Sequence, residues 1–296
     1  MRLAWQESSR EGLTLFSYLA SGEIMLIRLI NKLPFVAKIK MGRIQVNDAI
    51  DTLHSRMDIS DNFYQKFQKD RESIAYQDAF LKPNPLASIC ICTYNRAELL
   101  VNRCLKSLLK QDYKNLEIVV VGDNCTDETE KLVKGIRDTR LHFHNLDQRG
   151  EYPNDPHLRW MVAGTIPINA SLKIAAGDFI THLDDDDEYS PDRIGKLVHF
   201  IKEEKVDFIW HPFWFQLPSG RWKLNPAHAF RKASVTTSSS FYHRWFAQIP
   251  WDIHAYRYNE PGDWNRFRKI KYLGAKAARF PEPLLRHYKE KNQSVR

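Results

Sequence analysis

Residues 87–129 read ASICICTYNRAELLVNRCLKSLLKQDYKNLEIVVVGDNCTDET, and their pattern decides the fold. SICIC at 88–92 is a short apolar run closed by the turn-like TYNR. In 97–111, Leu99, Leu100, Leu105, Leu108 and Leu109 recur at helical spacing. NLEIVVVGD at 115–123 is a continuous apolar run that ends in polar residues. DETEKLVKGI at 127–136 opens with acids, as a helix start does, and LHFHNL at 141–146 reads as a further strand. Strand, helix, strand, helix, strand with short links predicts an α/β fold with a parallel sheet covered by helices. Such sheets bind ligands beyond the carboxyl ends of their strands.

Downstream, a helix near 165–176 stops at Gly177 and DFITHL at 178–183 reads as another strand. At its carboxyl end stands the row Asp184, Asp185, Asp186, Asp187 and Glu188. Like charges this close repel, so they need a cation or full exposure. Their place after a buried strand favours the cation. From Pro191 a helix runs to about Glu204, VDFIWHPFWF at 206–215 reads as one strong strand, and WNRFRKIKYLG at 264–274 as a helix ending in Gly. Upstream, 1–80 reads as helical and irregular, and Pro83 and Pro85 break the pattern. The expected organisation is therefore a mainly helical extension over 1–82 and a main domain over 83–296.

The bulk numbers fit one soluble domain of this kind. Of 296 residues, 43% are apolar and 27% charged, and the formal charge is +8. That charge favours anionic partners. Its cations are scattered rather than gathered in a stripe, which argues against nucleic acid. Cys90, Cys92, Cys104 and Cys125 show no zinc spacing and read as buried thiols in a reducing compartment. No apolar run reaches the ~18 residues that span a bilayer, and MRLAWQESSREG is no convincing signal peptide. The expectation is cytoplasmic, with Ile24–Lys40 offering a peripheral contact to the inner face of a membrane.

Magnesium and manganese take oxygen ligands and often complete their shell with substrate phosphates. Held by one or two of the acids in the row, such an ion would grip a diphosphate. The alternating pair Asp184 and Asp186 is one geometry; adjacent acids supply another if the backbone turns. Asp123 closes the strand at 115–123, where it would accept hydrogen bonds from a nucleobase or ribose, or cap the next helix. No GxGxxG, P-loop or GxSxG motif is present.

Together these motifs resemble glycosyltransferase family 2, the inverting, nucleotide-sugar-dependent enzymes of GT-A fold, over about residues 86–294. The opening segment quoted above carries part of the likeness. INASLKIAAGDFITHLDDDDEYSPDRI at 168–194 is like the family's run into its DxD motif. EPGDW at 260–264 is like the motif of the catalytic base, and LLRHYKEKNQS at 284–294 like a late Arg/His segment. The resemblance implies a GT-A-like, mainly parallel mixed sheet, with a nucleotide-sugar half over 83–190 and an acceptor half over 191–296. It places Thr93, Tyr94, Asn95 and Arg96 along the nucleotide and Asp123 on the base, taken as uracil. Asp184 and Asp186 form the DxD around Asp185, with Asp186 as the direct metal ligand. Asp263 becomes the general base, with Glu260 in reserve, and Arg286 and His287 assist the diphosphate, His287 also facing the metal. The chain departs from the family at Gly122, where an acid is usual, at Ile168, where Arg is common, and in having Arg286 and His287 adjacent.

The implied reaction is transfer of a sugar from a nucleoside-diphosphate sugar, with Mn2+ or Mg2+, to a hydroxyl on a glycan or other glycosylated acceptor. Trp210, Trp214, Trp222, Trp245 and Trp251 are candidates for stacking on acceptor sugars, or for core packing. Two rival readings share the features: a metal-dependent nucleotidyltransferase or pyrophosphatase, and a non-catalytic binding domain. The sequence leaves the oligomeric state open.

Overall fold

The structure, a computed structural model, describes residues 35–289, with side chains from Gly42 onward. Two compact units divide between Met57 and Asp58. The described part of the first is helix α1 (Phe35–Asp58), whose last residue opens the second unit. No helix among the described residues is long and apolar enough to cross a membrane. The expected membrane contact of Ile24–Lys40 falls outside the residues whose side chains are described.

The second unit starts with helices α2 (Asp61–Arg71) and α3 (Ile74–Leu81). Ser60 and Ser73 cap them, each hydroxyl accepting a first-turn N–H, from Phe63 and Tyr76. Both helices belong to the main core. Phe67 is fully buried against Tyr76, Trp245 and Phe246. Tyr76 donates its hydroxyl to Asp207 at 2.8 Å, and Gln68 its amide to the Leu273 carbonyl at 2.7 Å. The compact unit thus begins at Asp58, whereas the prolines at 83 and 85 suggested a boundary at 82. Both helices are short and α2 is mostly polar, so its inward aromatics were hard to read as core. Phe67→Ala should cost about 3–5 kcal/mol, read as a lower urea midpoint at unchanged slope.

Among the described residues seven strands form one sheet and four a second. The first contains β1 (Ala87–Thr93), β2 (Leu116–Gly122), β3 (Leu141–Asn145), β4 (Phe179–His182), β6 (Phe208–Trp210), β9 (Ser240–His243) and β10 (Ala277–Arg279). The second contains β5 (Glu188–Tyr189), β7 (Phe213–Gln216), β8 (Trp222–Asn225) and β11 (Leu285–His287). In the large sheet the order is β10-β6-β9-β4-β1-β2-β3. All its pairs are parallel except those of β9, which runs antiparallel to both β4 and β6. This is the mixed, mainly parallel sheet the opening segment predicts. Its central strands are apolar throughout because helices cover them, as with α7 (Thr165–Ile174) on β1 and β2. Gly177, just before β4, has no room for a side chain: a Cβ there would stand 2.4 Å from Ser88 Oγ.

Two readings change. The run 206–215 is two strands in two sheets, broken at His211 and Pro212. Pro212 has no N–H to give a ladder. His211 is fully buried and accepts from the Arg193 guanidinium at 3.0 Å. Residues 240–243, within the expected acceptor half over 191–296, form the antiparallel strand β9 of the large sheet. The remaining helices are α4, in contiguous pieces Ala97–Leu99, a π-helical Leu100–Leu105 and Lys106–Leu109, then α5 (Thr129–Lys134), α6 (Pro156–Val162), α8 (Arg193–Glu204) and α9 (Gly262–Tyr272).

Candidate active site

β4, β1 and β2 are neighbouring parallel strands, so Asp184, Thr93 and Asp123 all lie at one carboxyl edge. After β4 the chain does not stay extended. Asp187 N–H donates to the Asp184 carbonyl at 3.1 Å, closing a turn over Asp185 and Asp186. Asp184 N–H donates to Ser238 Oγ at 3.0 Å, which fixes where the turn starts. Ser238 is braced in turn by fully buried Arg193, whose guanidinium donates to the carbonyls of Ser238 and Ser240.

A turn brings residues i and i+3 together, and here they are Asp184 and Asp187. With His287 from β11 they offer two carboxylates and an imidazole whose ligand atoms all lie within 4.8 Å of one another. Asp187, fully buried, contacts His287 Nδ1 at 2.8 Å and accepts from Tyr288 N–H at 2.9 Å. Burial, then the charges of Asp187 and Asp186, push the Asp184 carboxyl up to about 8. Burial pulls the His287 imidazole down, but the charge and hydrogen bond of Asp187 outweigh it and raise it to about 9. The pair is therefore an imidazolium on a carboxylate. Oxygen donors with one imidazole suit Mn2+ or Mg2+, and the mutual repulsion of the acids is what a divalent ion would relieve. The residues fit such an ion.

Asp185 and Asp186 are organised differently. The Arg96 guanidinium donates to Asp185 at 3.0 Å and to Asp186 at 2.8 Å. Thr93 Oγ1 donates to Asp185 at 2.7 Å, and Arg103 donates to the Asp186 carbonyl at 2.6 Å. Burial raises the Asp185 carboxyl to about 6 against the opposing charge of Arg96. Asp186, read from the sequence as the direct metal ligand, thus has its carboxylate on Arg96, while the unsuspected Asp187 faces His287.

Asp123 is buried at the end of β2 and accepts from Gly150 N–H at 2.9 Å. Arg149 Nε lies 3.9 Å from its other oxygen, and the Arg149 guanidinium lies over the Tyr94 ring at 3.7 Å. Tyr94, Asp123 and Arg149 therefore form one polar and aromatic rim. Asn95 instead ties two loops, its side-chain Oδ1 accepting from Thr126 N–H at 2.8 Å, with a left-handed φ of 49°. The glycine at 122 has a local cause. A Cβ there would come 2.4 Å from Asn145 Oδ1, which itself accepts from Cys125 N–H.

Asp263 sits in the first turn of α9, its carboxylate accepting from Trp264 N–H at 2.7 Å. Glu260 is buried and accepts from Arg268 at 2.8 Å and Asn265 at 2.9 Å, while Arg268 also reaches Asp58. That network gives Glu260 a bracing role, and Asp263 is half-buried. Arg286 pairs with Glu188 at 3.1 Å on the small sheet. Of the tryptophans, Trp210, Trp245 and Trp251 are buried, two of them hydrogen-bonded through Nε1, to Ala227 and Asp70. Trp214 is 36% exposed and Trp222 partly so, which leaves those two as stacking candidates. Arg103, Arg149 and Ser238 were not read as site residues. A lone polar residue on a helix or loop carries no sequence signal of where it points.

The sequence profile of Glycosyl transferase family 2 matches residues 88–257, more than half of the chain. The chain belongs to glycosyl transferase family 2. Among family relatives it is 32% identical over 131 residues to the UDP-Glc:alpha-D-GlcNAc-diphosphoundecaprenol beta-1,3-glucosyltransferase WfaP of Escherichia coli, covering 44% of this chain and 47% of that protein. It is 31% identical over 121 residues to the GalNAc(5)-diNAcBac-PP-undecaprenol beta-1,3-glucosyltransferase of Campylobacter jejuni, covering 40% and 35%. The chain thus spans less than half the length of these curated relatives. The crystal structure of Staphylococcus aureus TarS with UDP-GlcNAc superposes with a TM-score of 0.54 at 21% identity, covering 70% of this chain and 59% of that one. At that identity the likeness is one of fold, and it matches the GT-A-like mixed sheet described above.

Proposed function

We propose that this family 2 chain is an inverting glycosyltransferase that moves a sugar from a UDP-linked donor to a hydroxyl of a glycan or lipid-linked glycan. The observation that carries the reading is the convergence of Asp184, Asp187 and His287 at the carboxyl end of β4, on the same sheet edge as Asp123. The printed names of two relatives, with UDP-Glc in one and undecaprenol-linked acceptors in both, support the donor and acceptor classes. Asp184, Asp187 and His287 would hold Mn2+ or Mg2+, and Asp186 would join them when Arg96 turns toward the donor's phosphates. Bound there, the ion would offset the charge that develops on the departing diphosphate. Tyr94, Asp123 and Arg149 would hold the base, with Thr93 and Asn95 shaping the floor beneath it. Asp263 takes the proton of the acceptor hydroxyl as that oxygen attacks the face opposite the diphosphate, so the configuration inverts. Arg286 would add positive charge at the leaving group. Such acceptors, with no described helix able to span a membrane, favour a cytoplasmic protein working peripherally at the inner face of a membrane.

The test is a screen of UDP-, GDP- and dTDP-sugars with Mn2+ or Mg2+, scoring released nucleotide and product mass. UDP release with an inverted anomeric centre by NMR is expected. Pyrophosphate release, or a retained centre, overturns the proposal.

Proton release gives a separate check. His287, protonated below about 9, must lose its proton to bind a metal. The sign follows: apparent Mn2+ affinity in the presence of UDP rises with pH, by about tenfold per unit for each proton that His287 and Asp184 release, and levels off above about pH 9. Calorimetry at pH 7 in two buffers of different ionisation enthalpy should show at least about one proton released. A binding heat independent of buffer would remove His287 from the metal's shell.

A further inference from the structure

On the outer side of α4 a solvent-open cavity of about 300 Å³ lies beside the acid row, yet its lining is basic. Arg103 and Lys106 stand at i and i+3 of α4 and Lys110 is its C-cap residue, with Asn102 and Ser107 also lining the cavity. Glu188 also lines the cavity, but Arg286 neutralises it at 3.1 Å. Lys106 and Lys110 are exposed, and neither forms an ion pair among the described residues. Three cations around one concavity, two of them without a counter-charge, are a standing attraction for an anion. The π-helical stretch Leu100–Leu105 passes through this wall, and such stretches recur at functional sites.

We infer that this cavity is a phosphate-binding site, separate from the donor cleft, that takes a phosphate or diphosphate group through Arg103, Lys106 and Lys110. Arg103 offers planar paired donors and the two lysines offer point charges, the usual combination for phosphate oxygens. The site does not depend on the proposed donor chemistry, because no member of the metal triad lines it. Arg103 also donates to the Asp186 carbonyl and lies over the Tyr288 ring at 3.9 Å. A ligand here would therefore bear on the same turn that carries the metal site, from its other side.

The phosphate could come from a soluble anion or from a lipid headgroup, and two arms separate the sources. In the first, inorganic pyrophosphate is titrated into the full-length protein in EDTA by calorimetry. In the second, the protein is co-sedimented with phosphatidylcholine vesicles with and without phosphatidylglycerol. The comparison variant is Lys106→Ala/Lys110→Ala, both exposed positions outside the proposed catalytic machinery. Binding in either arm that the double variant weakens by roughly tenfold or more supports the site, and the responding arm names the source. Binding unchanged by the double variant, or no binding in either arm, overturns it. Arg103→Lys is the second variant, since it keeps the charge and removes the paired donors. Pyrophosphate binding retained by Arg103→Lys to within about twofold would argue against guanidinium recognition.

Discussion

Replacing Asp187 by Asn abolishes Mn2+-dependent binding of UDP, while leaving a folded protein with the same sheet. Asp187 is fully buried and its carboxylate already faces His287, so the two can share an ion once that imidazole gives up its proton. The amide keeps an oxygen to accept from Tyr288 N–H, which limits the structural damage. What disappears is the negative charge. Changing groups that merely orient metal ligands costs ~10–100-fold in affinity, so losing a ligand itself should cost roughly 100-fold or more. His287→Ala should behave alike, and it sits at a more exposed position. Asp186→Ala provides the contrast. Its carboxylate is engaged by Arg96 in the metal-free state, so its loss should be smaller than that of Asp187→Asn. Calorimetry with UDP, in Mn2+ against EDTA, measures all three. If Asp186→Ala alone removes the metal dependence and Asp187→Asn is silent, the ligands are the alternating pair and not the pair joined by the turn.

That contrast shows how far the residues could be read in advance. The order of apolar runs in 87–129 and 178–183 was enough for the sheet, because parallel strands buried on both faces leave an unmistakable apolar block. It was enough to place the acid row at the carboxyl end of a strand, where such sheets bind ligands. The choice among four adjacent aspartates was not legible. It depends on whether the chain stays extended or turns after His182, and that is decided by Asp187 N–H meeting the Asp184 carbonyl and by Ser238, 54 residues away in sequence. The break at His211–Pro212 was legible in principle, because proline stops a ladder. The apolar residues on both sides hid it. The helices of 61–81 were missed as domain elements because Phe67 stands amid polar neighbours and the apolar piece with Tyr76 and Phe80 is only eight residues long. The motif at 260–264 offers Asp263 and Glu260 alike, and in the structure they differ in that Glu260 carries the guanidinium of Arg268.

Asp263→Asn is the change expected to damage turnover most while sparing everything before it. A general base that takes a proton during attack contributes about 100- to 10,000-fold, and kcat should fall by that order. Binding of the UDP-sugar should stay within about twofold if, as proposed, the residue acts on the acceptor hydroxyl. Asn also keeps the oxygen that accepts from Trp264 N–H, so the first turn of α9 survives and the melting curve barely moves. Glu260→Gln separates the rival. Its carboxylate is the buried counter-charge of Arg268, and neutralising it leaves that cation underpaired. The expected result is a loss of about 3–5 kcal/mol of stability, with kcat at low temperature nearly intact. The two variants therefore fail in opposite ways, one in turnover and one in folding. A pH profile adds a third reading: the residual activity of Asp263→Asn should rise with hydroxide instead of reaching a plateau, because solvent must now take the proton. Full turnover by Asp263→Asn, or a Glu260→Gln protein that is stable but inactive, would move the base to Glu260 and require Arg268 to let it go.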